Sequence, residues 1–355
     1  MNTTNRIEKL RKALDEQGLD GMFISQSDNR FYLSNFTGSS GYLLITAERV
    51  FLATDFRYYE QVERQAPEFT LFEVSGKMSE WFPRLVAVPG LKKLGFESTD
   101  ISFAVYRILT ESLNRDSGIQ LVPTEGIVDA LRAVKDTYEI ESIKQAVEIT
   151  DKAFAYIEKT ITPGMTERAV AWELEKFQRD MGSQSLPFDI IVGSGVNASL
   201  PHAVPSDKEI KTGEPVVIDM GARINGYCSD FTRTICIGEP DDTFKKVYDT
   251  VLGAQLTAIS LIRKGMTGRE ADGFARTVIH NAGYGEYFGH SLGHGTGLAA
   301  HEKPFVGPNS DDILDNGMVF SVEPGIYLPG WGGVRIEDLV LCENGVVTIL
   351  SKGRK

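Results

Sequence analysis

Val216-Val217-Ile218-Asp219-Met220-Gly221 leads through Arg223-Ile224-Asn225-Gly226-Tyr227 into Cys228-Ser229-Asp230-Phe231-Thr232. β-Branched and apolar residues on either side of Asn225-Gly226 predict two strands joined by a two-residue turn. That turn sets Asp219 opposite Thr232 and diagonal to Asp230, and the two-residue side-chain period places all three on one face. Two carboxylates held so close need a cation between them, or one must stay protonated.

Working outward, this hairpin is half of a repeat, and the repeat decides the fold class. Ile161-Thr162-Pro163-Gly164-Met165-Thr166-Glu167-Arg168 returns as Ile262-Arg263-Lys264-Gly265-Met266-Thr267-Gly268-Arg269, and the helices predicted after them end at Gly182 and Gly283. His202-Ala203-Val204-Pro205 is echoed by His301-Glu302-Lys303-Pro304, and Asp219-Met220-Gly221 by Glu323-Pro324-Gly325. The second copy then returns through Val334-Arg335-Ile336-Glu337-Asp338, as the first returns through Ser229-Asp230-Phe231. Each half therefore offers helix, turn, helix, an HxxP loop and a hairpin with one acid on each strand. Two such α+β halves about a pseudo-two-fold axis bring four acids to one site.

Four carboxylates are too many for a single catalytic zinc but suit a two-metal cluster, and an added imidazole shifts the preference toward first-row metals. The imidazole is expected from Gly289-His290-Ser291-Leu292-Gly293-His294-Gly295, where glycine on both sides of His294 lets it approach closely. The expected ligands are Asp219, Asp230, His294, Glu323 and Glu337. Arg335, two residues before Glu337, is expected to orient a ligand carboxylate. His280 falls inside a helical stretch and reads as structural.

Upstream of the repeat, helix and strand alternate. A helix over Met1–Gly18, a strand at 21–25, a hairpin at 42–46 and 50–53, helices at 56–66 and 103–113, and strands at 71–74, 94–97 and 120–122 define one α/β domain with a mixed sheet. Residues 1–130 form this first domain, and residues 131–355 the second, which begins with a long helix from about Glu139 to Ile161 whose apolar residues follow three-four spacing. Gly38-Ser39-Ser40-Gly41 leads into a strand and lacks the spacing of a phosphate-binding loop. With 37 Lys+Arg against 49 Asp+Glu, a net charge of −12, the chain carries no basic footprint for nucleic acid or an anionic membrane. No run approaches a membrane span, the N-terminus is not a signal peptide, and Cys228, Cys236 and Cys342 form no even disulfide set. The expectation is a cytoplasmic protein, with Cys228 packed in a strand.

At these residues the chain resembles the M24 peptidases, the pita-bread family that includes methionine aminopeptidase, aminopeptidase P and prolidase. The likeness covers the repeat half, and the N-terminal domain resembles the creatinase-type domain of the Xaa-Pro-cleaving branch. The family's ligand order of Asp, Asp, His, Glu, Glu matches Asp219, Asp230, His294, Glu323 and Glu337 without substitution. By that match Asp230 and Glu337 bridge two divalent ions, Asp219 holds one, and His294 with Glu323 holds the other; manganese is expected first, with cobalt, zinc or iron as alternatives. The resemblance further implies that His301 contacts the scissile carbonyl, that His202 and His290 line the proline and leaving-group side, and that Glu323 carries a proton to the departing nitrogen.

The implied activity is hydrolysis of the bond between an N-terminal residue and proline, of the aminopeptidase P kind. Prolidases of this type commonly carry arginine after the HExP proline, where Phe305 stands here, which favours longer peptides over dipeptides. The alternatives are a dipeptide-restricted prolidase, a methionine aminopeptidase, which the N-terminal domain disfavours, and a non-catalytic pita-bread binding protein. The intact ligand set argues against creatinase. A homodimer is implied, with the Asn29–Gly41 loop bordering a partner's pocket; the alternative places Phe31, Tyr32 and Phe36 in the core of their own domain.

Overall fold

A computed structural model describes residues 3–113 and 117–355, so Met1 and Asn2 of the expected first helix lie outside the described residues. The chain divides into two compact units, Met1–Arg132 and Ala133–Lys355.

The first unit opens with helices and strands in alternation: α1 (Thr3–Glu16), β1 (Gly21–Ile24), α2 (Ser27–Ser34), β2 (Tyr42–Thr46) and β3 (Val50–Thr54). It continues with α3 (Tyr59–Gln65), β4 (Thr70–Glu73), α4 (Met78–Leu85), β5 (Lys93–Glu97), α5 (Phe103–Ser112), β6 (Gln120–Thr124) and α6 (Ile127–Ala133). The strands form one sheet in the order β4-β3-β2-β1-β5-β6, antiparallel around β2 and parallel toward both edges. That is the mixed sheet expected. Phe23, Leu44, Phe82, Leu94 and Phe96 build its core.

Three details differ from expectation. The helix expected from Phe56 begins as a single 3-10 turn, Phe56–Tyr58, capped by the Asp55 carboxylate. Two helices, α2 and α4, carried no readable signal: α2 starts on the side chain of Gln26, an uncommon cap, and α4 contains Pro83. The expected loop from Asn29 is consequently helical to Ser34, and Tyr32 and Phe36 are buried.

The second unit begins with α7 (Thr137–Thr160), α8 (Glu167–Asp180), β7 (Ile191–Ser194) and β8 (Pro215–Met220). The short strands β9 (Arg223–Ile224) and β10 (Tyr227–Cys228) form the hairpin tip, and β11 (Phe231–Cys236) returns beside β8. Asn225 and Gly226 have φ of 53° and 84°, the left-handed pair that a tight hairpin turn demands. The register that follows puts Thr232 opposite Asp219.

The second copy comprises α9 (Asp242–Leu261), α10 (Gly268–Asn281), β12 (Gly293–Gly295), β13 (Glu302–Val306) and β14 (Val319–Val322). Then come β15 (Gly325–Leu328), β16 (Gly332–Arg335), β17 (Asp338–Glu343) and β18 (Val346–Ile349). Each half has its own core: Phe154, Val170, Leu174 and Ile218 in the first, Val251, Ala258, Ile279 and Phe320 in the second.

The duplication reaches single hydrogen bonds. Thr166 and Thr267 cap α8 and α10 with their side chains. Gly164 N–H donates to Ile210 O and Ile210 N–H to Met165 O, while Gly265 N–H donates to Leu314 O and Leu314 N–H to Met266 O. Gly182 and Gly283, with φ of 100° and 87°, turn the chain after each helix. Identical local chemistry at each turn is what chance similarity would not produce.

Candidate metal centre

Strand β8 delivers Asp219, and the step from β10 to β11 delivers Asp230. The second hairpin delivers Glu323 just after β14 and Glu337 just before β17, while β12 carries His294. All five side chains line one cavity of about 550 Å³, together with His202, His290, His301, Phe305 and Arg335. Asp230, His294 and Glu337 each offer a ligand atom within 4.8 Å of the others. His294 Nε2 lies 3.3 Å from Glu323 Oε1 and 3.7 Å from Asp230 Oδ2.

The glycines beside His294 also serve the packing of the strand. A Cβ on Gly293 would collide with the Ser321 carbonyl, and one on Gly295 with the Lys303 carbonyl. They let β12 pass close between β13 and β14, with a register shift at His294 and Gly295, and His294 itself stands on that strand.

Burial sets the electrostatics. It pushes Asp230 well above the ordinary carboxylate range, with Asp219 adding like-charge repulsion, and it does the same to Glu337, with Asp230 as the repelling neighbour. Burial would lower His294, but the Glu323 and Asp230 carboxylates raise it to about 9; Glu323, raised by burial, is brought down to about 2 by the same histidine. His301 is held below its ordinary value, by burial and then by His294, whose ring centroid is 3.9 Å away. A proton on His294 therefore occupies the electrostatic position of a cation.

The residues fit metal ions on two observations. Asp219 Oδ1 and Glu337 Oε1 are buried with no hydrogen-bond partner. A buried carboxylate oxygen left in that state calls for a cation. With His294 neutral, the five carboxylates that line the cavity, Asp189 among them, against the single guanidinium of Arg335 give a formal charge of −4, so one divalent ion still leaves the cavity negative.

Arg335 is placed as a carboxylate-orienting group: its Nη2 donates to Asp219 Oδ2 at 2.6 Å. Its other nitrogens donate to the Thr232 hydroxyl, the Pro201 carbonyl and the Tyr327 hydroxyl. Tyr327 Oη lies 3.0 Å from His290 Nε2, so one hydrogen-bonded line runs from His290 to Asp219. Tyr327 and Ser321, which donates to Glu323 at 2.9 Å, escaped the sequence reading, as did the bond that Thr232 donates to Glu337 Oε2 at 2.7 Å. Thr232 had a signal, since the hairpin register puts it opposite Asp219; Tyr327 had none beyond being a strand aromatic. His280 lies exposed at the end of α10, and Cys228 is buried on β10.

Four convergent carboxylates and an imidazole on a duplicated α+β frame define a metallohydrolase centre on the pita-bread fold. Residues 141–344 match metallopeptidase family M24, and residues 6–134 match the creatinase/prolidase N-terminal domain. The chain belongs to metallopeptidase family M24 and to its Xaa-Pro peptidase branch. It is 38% identical to a Xaa-Pro dipeptidase of Pyrococcus horikoshii over 95% of this chain and 93% of that one. A solved Xaa-Pro dipeptidase from Bacillus anthracis superposes with a TM-score of 0.96 at 44% identity, covering 100% of this chain and 99% of that one. An X-Pro aminopeptidase from Thermotoga maritima gives 0.89 at 38% identity over 98% of each chain.

Proposed function

We propose that the chain is a metal-dependent aminopeptidase that releases the residue ahead of proline and accepts peptides extending beyond that proline. Asp219, Asp230, His294, Glu323 and Glu337 would hold two divalent ions, manganese foremost. Bound there, the ions supply Lewis acidity toward the scissile carbonyl and lower the pKa of water. His301, whose pKa burial holds below its ordinary value, has a ring N–H to donate to the carbonyl oxygen as negative charge develops on it. Glu323 is the carboxylate that takes up a proton and returns it to the leaving proline nitrogen. His202 and His290 line the side on which proline sits, and Phe305 and Val204 bring apolar surface to the same cavity.

One observation carries the preference for longer peptides. Among the described residues lining the cavity there is no lysine and no arginine but Arg335, whose guanidinium is committed to Asp219, Tyr327, Thr232 and Pro201. A dipeptide's C-terminal carboxylate would enter an acidic cavity with no uncommitted guanidinium or ammonium to meet it. The second reading, a dipeptidase, is favoured by the names of the relatives at 38% and 44% identity. Xaa-Pro dipeptides and Xaa-Pro-Yaa tripeptides assayed side by side with manganese separate the two. Higher kcat/KM on tripeptides, abolished by chelation and restored by manganese, is expected; cleavage confined to dipeptides overturns the preference.

A further inference from the structure

The segment between β7 and β8 carries Pro201, His202, Ala203 and Val204 into the cavity, and both its feet are held by one carboxylate. Glu167, in the first turn of α8 and fully buried, accepts at Oε1 from Ser194 N–H at 2.7 Å and from Ser194 Oγ at 2.8 Å. Its Oε2 accepts from Ser206 N–H at 3.1 Å and Ser206 Oγ at 2.7 Å, and the Asn197 amide reaches both oxygens at 3.1 Å. The tip is held separately, by Arg335 donating to Pro201 O at 3.1 Å.

A glutamate in the first turn of a helix ordinarily needs no explanation beyond the helix dipole. The repeat removes that explanation here. The counterpart of Glu167, 101 positions on, is Gly268, and α10 starts there with the same threonine cap and no carboxylate at that position. A side chain on Gly268 would strike the Phe305 carbonyl and Ser310. The second loop, which carries His301, is tied instead by Asp312, accepting from Lys303 Nζ at 2.8 Å and Phe305 N–H at 2.9 Å. The helix start works without Glu167, so the carboxylate answers to the loop.

We infer that Glu167 is a positioning residue, which closes the base of the His202 loop and so sets the substrate wall of the cavity without touching the metal ligands. The inference rests on the peptide-cleaving reading of the cavity. In E167Q the amide nitrogen faces N–H and O–H donors it cannot accept from, so the loop base opens while side-chain volume is kept.

The test is the full-length chain with manganese, as wild type, E167Q and N197A/S206A, the last leaving the buried carboxylate in place. Expected for E167Q are a KM for Xaa-Pro-Yaa peptides raised about tenfold with kcat changed far less, and unaltered manganese content. Amide exchange over residues 195–206 is expected to accelerate by at least roughly tenfold, and N197A/S206A should show the same changes in smaller measure. Unchanged exchange and KM in either folded variant, or loss of manganese along with kcat, overturns the inference. If the wild type cleaves none of these peptides, the functional reading falls, while unaccelerated exchange still overturns the role given to Glu167.

Discussion

Arg233 offers the most demanding test of how the two halves are joined. It follows Thr232 on β11, is 1% exposed, and uses every N–H it has. Nε donates to Arg354 O at 3.0 Å, Nη1 to the carbonyls of Thr232 and Glu337, and Nη2 to Asp338 Oδ1 at 2.7 Å and Gly353 O at 2.8 Å. Asp338, wholly buried, has Lys355 Nζ at 2.6 Å as its other cation. Arg233→Leu would strip carbonyls of their donor and leave Asp338 with one cation in place of two.

Breaking a buried pair costs about 3–5 kcal/mol, and orphaned carbonyls add to it, so about 4 kcal/mol is a conservative expectation. The second unit spans 355 − 132 = 223 residues. At roughly 2–4 °C per kcal/mol for that size, its melting transition should fall by about 8–16 °C. Arg233→Lys, with three donors in place of five, should recover only part of the loss. Scanning calorimetry with a chelator present is the assay, because bound metal would add its own stabilisation. A melting temperature for Arg233→Leu within about 2 °C of wild type, less than 1 kcal/mol, would refute the reasoning.

Asp230→Asn should lower bound manganese, read by elemental analysis, in step with the loss of rate; full metal content with no activity would give Asp230 an acid/base role in place of a ligand's. Two glycine substitutions should act in opposite directions on chemical denaturation. Gly295→Ala drives a methyl into the Lys303 carbonyl and should cost about 1–3 kcal/mol, whereas Gly253→Ala, inside α9 with nothing within 4 Å of the new carbon, should stabilise by about 0.5–1 kcal/mol.

The hairpin was legible because its register depends on two adjacent residues, Asn225 and Gly226, whose backbone preference is local. The repeat was legible because Gly164-Met165-Thr166 and Gly265-Met266-Thr267 encode the same turn and cap. Features fixed by distant packing were not. Tyr327 acquires its place only when β15 brings it to Arg335 and His290, and Glu167 only when Ser194 and Ser206 fold back onto α8. Sequence periodicity reports which face a residue shares, and a contact across 27 or 39 positions lies outside its reach.

A pair of arginines crosses between the halves, and the carboxylate each one meets there accounts for the burial of both. Arg335, from the second half, reaches back to Asp219 of the first. Arg233, from the first, reaches forward to the Glu337 carbonyl and the Asp338 carboxylate of the second. Arg233 follows Asp230 by three positions and Arg335 precedes Glu337 by two, so they are not counterparts in the repeat, yet each half lends one cation to the other's acidic strand. Between them Thr234 Oγ1 donates to Arg335 O and accepts from Arg335 N–H, which locks β11 against β16. An arginine on the ligand-facing side can offset one carboxylate charge in the cavity, but its mate faces Asp338, outside the ligand set, and offsets none there. The clamp therefore fixes the acids in place while leaving the cavity negative, the state in which divalent ions are drawn in and held.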